Sequence, residues 1–412
     1  MKRLWKSPTL RSMVVYGTAG AGFAGANLIL ARVLPKEEYA LFTLVLAIGN
    51  LGYSLAPTGV DGIVNRRHLA AGPQLLWRVI LAAGTVALIF TAIGLLGYGL
   101  GPGIGLYLLV SVAAGGAMMV AGAKFQSQQR FAISLSLIQS PNVVLLFAAL
   151  AVVAFNVRHL WLALLISALG FVVAGLIGWA VLLREHPAGD VEVRDFPWKE
   201  ALSLAGLEVA GLTLVQLERL VIPHTLSVSD LATYGVLGAI VGSLFRVMQM
   251  GVGYTLFPRL RAATSVEQRR QLIAHEAKLS IGLVLIGSVV IGIATPIVEE
   301  LFLRGKYHLT VALIVAALIS GIVKIMNAFA KATVSALATH RELAVVNLLG
   351  WGSVLLAVAA AVFGARWGLV GVIYGVALGW LARAATTLHP IVRHLRLPEI
   401  PAGHPAVSAL DR

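Results

Sequence analysis

The chain has 412 residues, of which 58% are hydrophobic and only 12% are charged, and its mean hydropathy is +0.88. A soluble fold of this length cannot cover so much apolar surface with so few polar side chains, which excludes a soluble enzyme, a soluble nucleic-acid-binding protein and a disordered chain. The net charge of +14 indicates loops that face anionic lipid rather than DNA. Because the chain has no cysteine, disulfides, thiolate metal sites and a cysteine nucleophile are also excluded.

Apolar stretches of about 20 residues, the length that crosses the hydrocarbon layer, recur along the whole chain. The stretches are continuous and do not alternate, so they predict helices and not the strands of a membrane barrel. We therefore expect an all-α polytopic membrane protein with about twelve transmembrane helices. The predicted spans are 11–33, 41–63, 79–100, 105–123, 134–155, 160–183, 201–222, 231–256, 279–301, 309–337, 343–364 and 368–390.

The distribution of Lys and Arg among the loops predicts the orientation. With the N-terminus inside, the inner loops and tails carry 21 cations and the outer loops carry six. The positive-inside rule then places both termini in the cytoplasm. Met1-Lys-Arg-Leu-Trp-Lys could open a signal peptide, but the apolar stretch behind it is too long and runs straight into another span. We expect an uncleaved first helix.

Two long polar segments lie on the predicted inner side, Arg184–Glu200 and Pro258–Lys278. The first divides the chain almost evenly. It predicts an N-terminal six-helix lobe at 1–183, a cytoplasmic linker at 184–200, a C-terminal six-helix lobe at 201–392 and a cytoplasmic tail at 393–412. The second segment is either an interfacial helix on anionic lipid or a plain basic loop.

Corresponding places in the two lobes carry related sequences. Leu34-Pro-Lys-Glu-Glu-Tyr-Ala-Leu-Phe enters the second span, and Leu226-Ser-Val-Ser-Asp-Leu-Ala-Thr-Tyr enters the eighth. Both copies have the same predicted orientation, which favours a parallel repeat of the kind found in transporters.

The first of these segments, extended to Leu30-Ala-Arg-Val-Leu-Pro-Lys-Glu-Glu-Tyr-Ala-Leu-Phe, is followed by Gly59-Val-Asp-Gly-Ile-Val-Asn-Arg-Arg. Together they resemble the opening of the bacterial polysaccharide and O-antigen flippases, a family of the multidrug/oligosaccharidyl-lipid/polysaccharide exporter superfamily. Leu217-Glu-Arg-Leu-Val-Ile-Pro and the segment from Leu226 resemble the second lobe of the same family. With twelve spans and a midpoint linker, the resemblance covers most of the chain.

The resemblance implies two lobes around a central cavity that opens alternately to each side. It implies a cationic cavity lined mainly by the first two helices of each lobe. The implied substrate is undecaprenyl-diphosphate carrying an oligosaccharide repeat unit, flipped across the bacterial inner membrane for O-antigen, capsule or exopolysaccharide assembly. The implied partners are membrane lipid, a coupling proton or sodium ion and the polysaccharide polymerase machinery, but no nucleic acid.

Ionisable side chains inside a span cost about 2.5–3.5 kcal/mol each on insertion scales, so they tend to face a cavity or a partner. We expect cavity cations for a diphosphate at Arg246, Lys324, Arg219 and Lys331, although adjacent Glu218 could neutralise Arg219, and Lys331 and Arg383 could snorkel. Lys324, Asn327 and Lys331 share one helix face. Ion coupling would use Glu208, Asp61 or Glu218, but each could equally form an ion pair.

No catalytic pattern stands out. Gly20-Ala-Gly-Phe-Ala-Gly matches a dinucleotide fingerprint but lies inside an apolar span, where it indicates close helix packing. We therefore expect a transporter that is not an enzyme and has no cofactor or metal. The main alternative is a drug or cation antiporter of the same superfamily, which would favour acids in the first lobe. A glycan polymerase or ligase would need a large outer loop, and the related lipid II flippases usually have fourteen spans.

Overall fold

The computed structural model describes residues 8–67, 69–185, 195–243, 245, 248–249, 256 and 259–396. These residues are almost entirely helical, and no β-strand occurs among them. Within the described part, nine helical stretches are long and apolar enough to cross a membrane, and the last of them, Arg341–Leu395, contains two consecutive spans. The chain is therefore an all-α, multi-pass membrane protein, as its composition predicts.

The helices follow the chain in two sets. The N-terminal half contains α1 (Pro8–Val33), α2 (Lys36–Leu55), α3 (Val60–Arg67), α4 (Pro73–Ala92, continued by a π-turn at Ile93–Gly97), α5 (Pro102–Ser127), α6 (Phe131–Ala154) and α7 (Trp161–Arg184). The C-terminal half contains α8 (Trp198–Thr225), α9 (Val228–Leu237, continued by a π-turn at Gly238–Gly242), α10 (Val266–Ile297, continued to Phe302), α11 (Val311–Leu337), α12 (His340–Gly364), α13 (Gly368–Thr386) and α14 (Leu388–Arg396). Setting aside the short α3 and α14, this order accommodates the predicted twelve spans.

Polar side chains fix where several helices begin. Ser227 and Thr339 each form a capping box with the acidic residue three positions later, at the start of α9 and α12. The side chain of Thr310 accepts a hydrogen bond from the backbone of α11. These residues satisfy backbone N–H groups that have no partner within the helix, so each loop ends at a defined position.

The two halves meet mainly through four helices. Helix α2 packs against α8 and α9, and α1 packs against α9 and the π-turn that follows it. Gly235 of α9 allows the close approach, because a Cβ atom there would lie 2.5 Å from Oγ1 of Thr43 on α2. The predicted lobe boundaries stay a prediction, and much of the predicted linker lies outside the described residues.

The second predicted span, 41–63, lies within one candidate membrane span, Lys36–Arg67, but this span is interrupted and is not one continuous α-helix. Helix α2 ends at Leu55 and α3 begins at Val60. Pro57 between them has no N–H to donate, and Thr58 and Gly59 have positive φ values of 49° and 81°. Asp61 consequently lies in the first turn of a short separate helix.

Two other expectations change at the predicted cytoplasmic end. Lys124, expected in an inner loop, lies inside α5 and is only 1% exposed. The second half of the basic segment Pro258–Lys278 belongs to α10, whose 32 residues span about 48 Å and exceed the hydrocarbon thickness of about 30 Å. Helix α14 packs beside this extension, where Arg270 donates a hydrogen bond to the Leu395 carbonyl at 2.6 Å.

Candidate functional site

A cavity of about 340 Å³ lies where α1 faces the C-terminal half. Phe23 of α1 and Ile373 of α13 contribute apolar walls, and the rest of the lining comes from α8, α9 with its π-turn and the helical residues after it, and α11. The polar and charged side chains of the lining are Gln216, Glu218, Arg219, Tyr234, Ser243, Gln249, Ser320 and Lys324. The cavity therefore offers both charge and hydrogen-bonding groups at membrane depth.

Glu218 and Lys324 form an ion pair across this cavity, with 2.7 Å between Oε1 and Nζ. The Glu218 side chain is 1% exposed and the Lys324 side chain 19%. The backbones of α8 and α11 make few contacts with each other, because α13 packs against both helices. The long side chains of Glu218 and Lys324 bridge the gap between them. Neither charge alone would be stable here, because an uncompensated charge in a low-dielectric region is costly.

Arg219 is the neighbouring residue on α8, and its surroundings differ. Its guanidinium donates a hydrogen bond to Oε1 of Gln216 at 3.3 Å and lies against Gly238. No carboxylate forms an ion pair with it within the described part of the chain. Glu218 does not neutralise Arg219, because consecutive helix residues point about 100° apart and Glu218 faces Lys324 instead.

A second group of charges lies nearer the predicted cytoplasmic end. Lys331 of α11 donates to both carboxylate oxygens of Glu208 on α8, at 3.1 and 3.0 Å, and both side chains are about half exposed. Arg383 of α13 lies close enough to Glu208 to interact electrostatically. Its guanidinium packs against Gly211 and Gly350, and a Cβ atom at Gly211 would lie only 3.2 Å from Nη2 of Arg383.

Asp61 reaches this second group from the N-terminal half. Gly62 of α3 packs against Leu204 of α8, and Asp61 is near enough to Glu208 for their charges to interact. Two carboxylates from opposite halves thus approach each other at the predicted inner end of the cavity. The first turn of α3 is a favourable place for a negative charge, since the helix dipole is positive there.

Of the residues expected from the sequence, Lys324, Arg219 and Glu218 line the cavity together, and Lys331, Glu208 and Asp61 lie in the second group. Arg246 lies outside the described residues, although Phe245 and Gln249 on either side of it line the cavity. Sequence reasoning missed Gln216, Tyr234 and Ser320. Gln216 and Ser320 precede Arg219 and Lys324 by three and four positions, a helical spacing that would have indicated them.

A contact between the two halves closes one end of the bundle. This is the end at which α1 terminates, and it is predicted to be the outer one. Lys306 donates to the carbonyl oxygens of Ala31, at 2.8 Å, and of Leu34, and the Tyr307 hydroxyl donates to Ala31 at 3.2 Å. The rings of Tyr307 and Tyr39 meet edge to face. Burial lowers the pKa of Lys306. We call these residues the outer contact.

No family model matches the sequence, and no curated protein matches it. Solved structures match over nearly the whole chain. An inward-facing multidrug resistance MATE family transporter of the MOP superfamily gives a TM-score of 0.64 at 14% identity, over 92% of this chain and 94% of that chain. The lipid II flippase MurJ in an inward closed conformation gives 0.64 at 10% identity, over 93% and 88%. The eukaryotic MATE transporter AtDTX14 gives 0.59 at 11% identity, over 94% and 97%.

The chain therefore has the fold of transporters of the MOP superfamily, the superfamily to which the sequence resemblance pointed. These neighbours are transporters and not enzymes, which agrees with the absence of a catalytic pattern in the sequence. The polysaccharide flippase branch stays a prediction, because at 10–14% identity the likeness establishes the fold alone.

Proposed function

We propose that this protein is a transporter that flips oligosaccharides linked to undecaprenyl diphosphate across the bacterial inner membrane. The product would serve the assembly of a surface polysaccharide such as O-antigen, capsule or exopolysaccharide. The observation that carries the proposal is Arg219, a cavity guanidinium with an amide partner and no carboxylate partner among the described residues. A partly dehydrated guanidinium binds phosphate oxygens in pairs and more strongly than it would in water.

The other lining groups suit the sugar part of such a substrate. Gln216, Gln249 and Ser320 supply amide and hydroxyl groups, and Phe23 supplies an aromatic face. In the proposed cycle the diphosphate-sugar head enters the cavity from the cytoplasm while the prenyl tail stays in lipid. Alternating access then requires the outer contact to separate, so that the head leaves on the other side.

Ion coupling and further partners belong to the same proposal. A proton or sodium ion would act at Glu208, Asp61 or Glu218, since these acids lie in or below the cavity. If protons drive transport, collapsing the proton gradient slows flipping in proteoliposomes, and unchanged flux contradicts proton coupling. Contacts with the polysaccharide polymerase would deliver the flipped unit to the next step.

The second candidate function is a drug or cation antiporter, since one of the structural neighbours described above is a multidrug resistance MATE family transporter. One feature of the cavity favours it. The Glu218 carboxylate is buried, with the Tyr234 side chain beside it and Lys324 as its ion-pair partner, so an organic cation could bind there after displacing Lys324. The two functions differ in the charge of the transported group.

The test uses purified protein in proteoliposomes with two probes. The first is a polyprenyl-diphosphate disaccharide with a fluorophore on its sugar, whose flipping is followed by quenching with impermeant dithionite. Because a hydrogen bond to a charged group contributes about 1.5–3 kcal/mol, we expect Arg219→Gln to flip this probe about tenfold more slowly or worse. Arg219→Lys keeps the charge and should retain part of the rate. Arg366→Gln removes a cation at the predicted outer end, beside Phe363, and should match the unmodified chain.

The second probe is ethidium, whose movement is followed by its fluorescence under an imposed proton gradient. Ethidium movement that requires Glu218, together with no flipping of the diphosphate probe, identifies the antiporter. Flipping of the diphosphate probe at equal rates in Arg219→Gln and Arg366→Gln contradicts the role of Arg219.

A further inference from the structure

A furrow of about 500 Å³ lies between α6 and α7, and none of the residues that line it also lines the cavity. Pro141 lies inside α6, where a proline removes one helical hydrogen bond. The carbonyl that loses its donor, that of Leu137, instead accepts a hydrogen bond from the Ser140 hydroxyl at 2.8 Å. The hydrogen bond that Pro141 removes is thus replaced locally.

The walls of the furrow are apolar and small. Helix α6 presents Ala132, Ser136 and Ser140 at successive turns, and α7 contributes Gly170 and Gly178, which pack against Val144 and Leu137 of α6. Larger apolar side chains at the furrow edge, among them Val173 and Ile177, are half or more exposed. The small residues on the floor and the larger apolar residues at the edge leave a channel that fits a linear hydrocarbon chain.

The length and depth of the furrow match one leaflet. From Ala132 to Val144 the α6 wall covers twelve residue steps, or about 18 Å, close to half of the hydrocarbon thickness of about 30 Å. Because α6 begins and α7 ends at the same end of the bundle, the furrow runs from the mid-plane to that surface. Charge predicts this surface to be the cytoplasmic one.

Cations stand at the mouth of the furrow. Phe125 lines its end, and the Arg130 guanidinium lies 4.9 Å above the centre of that ring. Arg130 pairs with Glu185, whereas Arg184 is exposed and forms no ion pair with any residue that the structure describes. Among the described residues, Arg184 therefore gives the mouth a positive charge without an ion-pair partner, which an anionic headgroup complements.

We propose that the α6–α7 furrow is a binding site for an anionic phospholipid, with one acyl chain in the furrow and its phosphate headgroup at Arg184 and Arg130. The site is independent of the transport cavity and of the proposed function. It would anchor the N-terminal half to one leaflet while the other half moves.

The test measures lipid retention by native mass spectrometry of the purified protein, incubated with phosphatidylglycerol or phosphatidylcholine of identical acyl chains. Ser136→Phe fills the exposed middle of the furrow from α6, and Val173→Trp fills it from α7. Leu169→Phe adds bulk to a lipid-facing position of α7 outside the furrow and is the matched control. We expect both filling variants to retain about fivefold less of either lipid and the control to retain as much as the unmodified chain.

The headgroup is tested separately by Arg184→Gln. A single cation near an anionic surface raises the binding constant about fivefold. This change should therefore lower the preference for phosphatidylglycerol over phosphatidylcholine about fivefold and leave phosphatidylcholine retention unchanged. Arg341→Gln removes an exposed cation in the first turn of α12 and should leave both unchanged. Equal retention in the filling variants and in Leu169→Phe, or equal headgroup preference in the two Arg variants, overturns the proposal. A thermal melt of each variant identifies any that misfold.

Discussion

At the scale of single residues, the partner of each charged side chain in the cavity determines whether that charge is neutralised. Glu218 and Arg219 are neighbours in the sequence, yet Glu218 pairs with Lys324, 106 positions away. A hydrophobic or small residue at this position of α11 would have a lower insertion cost than a cation. A lysine at this depth is stable because a carboxylate meets it across the cavity.

We predict that Lys324→Met destabilises the protein by about 3–5 kcal/mol, because it leaves a carboxylate that is 1% exposed without a counter-charge. Glu218→Gln combined with Lys324→Met should recover most of this loss, because the charge is then removed with its partner. The measurement is a double-mutant cycle of thermal unfolding in detergent. If the two single effects simply add in the double variant, the pair is not coupled.

At the scale of elements, glycine sets how closely helices pack. Helices α12 and α13 form a hairpin joined by a short 3₁₀ turn at Ala365–Trp367. At Gly375 a Cβ atom would lie 2.5 Å from the backbone of Ala360, and Gly364 and Gly371 oppose each other in the same way. Without a strong hydrophobic force between helices in lipid, such close backbone contact is a main source of association.

We predict that Gly375→Ala lowers the melting temperature, because the added methyl group must push α13 away from α12. Gly352→Ala is the matched control on α12, since nothing lies within 4 Å of the added atom. Alanine favours a helix over glycine by up to about 1 kcal/mol, so the control should be neutral or stabilising. Equal melting temperatures for the two variants would show that the hairpin does not depend on the glycine contact.

The broken second span illustrates what a sequence pattern reveals at this scale. Pro57 and Gly59 are signals of a break. The apolar residues Val60, Ile63 and Val64 nevertheless continue the hydropathy of α2 across it, so the stretch predicts one span. The break itself is fixed by packing, because a side chain at Gly59 would strike the backbone carbonyl of Ala201 on α8.

At the scale of the whole molecule, the outer contact joins helices that belong to different halves. Lys306 binds the free carbonyls at the end of α1, where the helix dipole also favours a cation. Opening this end of the bundle requires the contact to break.

We predict that Lys306→Met shifts the molecule toward a state open at this end, by about tenfold in population, since a hydrogen bond to an ammonium contributes about 1.5–3 kcal/mol. The chain has no cysteine, so spin labels can be placed at Glu37→Cys and Val311→Cys without background. Electron–electron distance measurements should show a longer distance between the two labels in Lys306→Met than in the labelled chain that keeps Lys306. Arg304→Met, an exposed cation in the same loop, is the control, and identical distributions for the two variants contradict the prediction.

The sequence by itself determined the class of fold and indicated most of the charges inside the predicted spans, although it placed Lys124 in a loop. Membrane insertion depends on composition along about 20 consecutive residues, which is local information. Only the tertiary structure decided which charges cancel: Glu218 with Lys324, Glu208 with Lys331, and Arg219 left with an amide. Ion pairing depends on distances of a few ångströms between helices far apart in the chain, so no pattern along one helix could have assigned these partners.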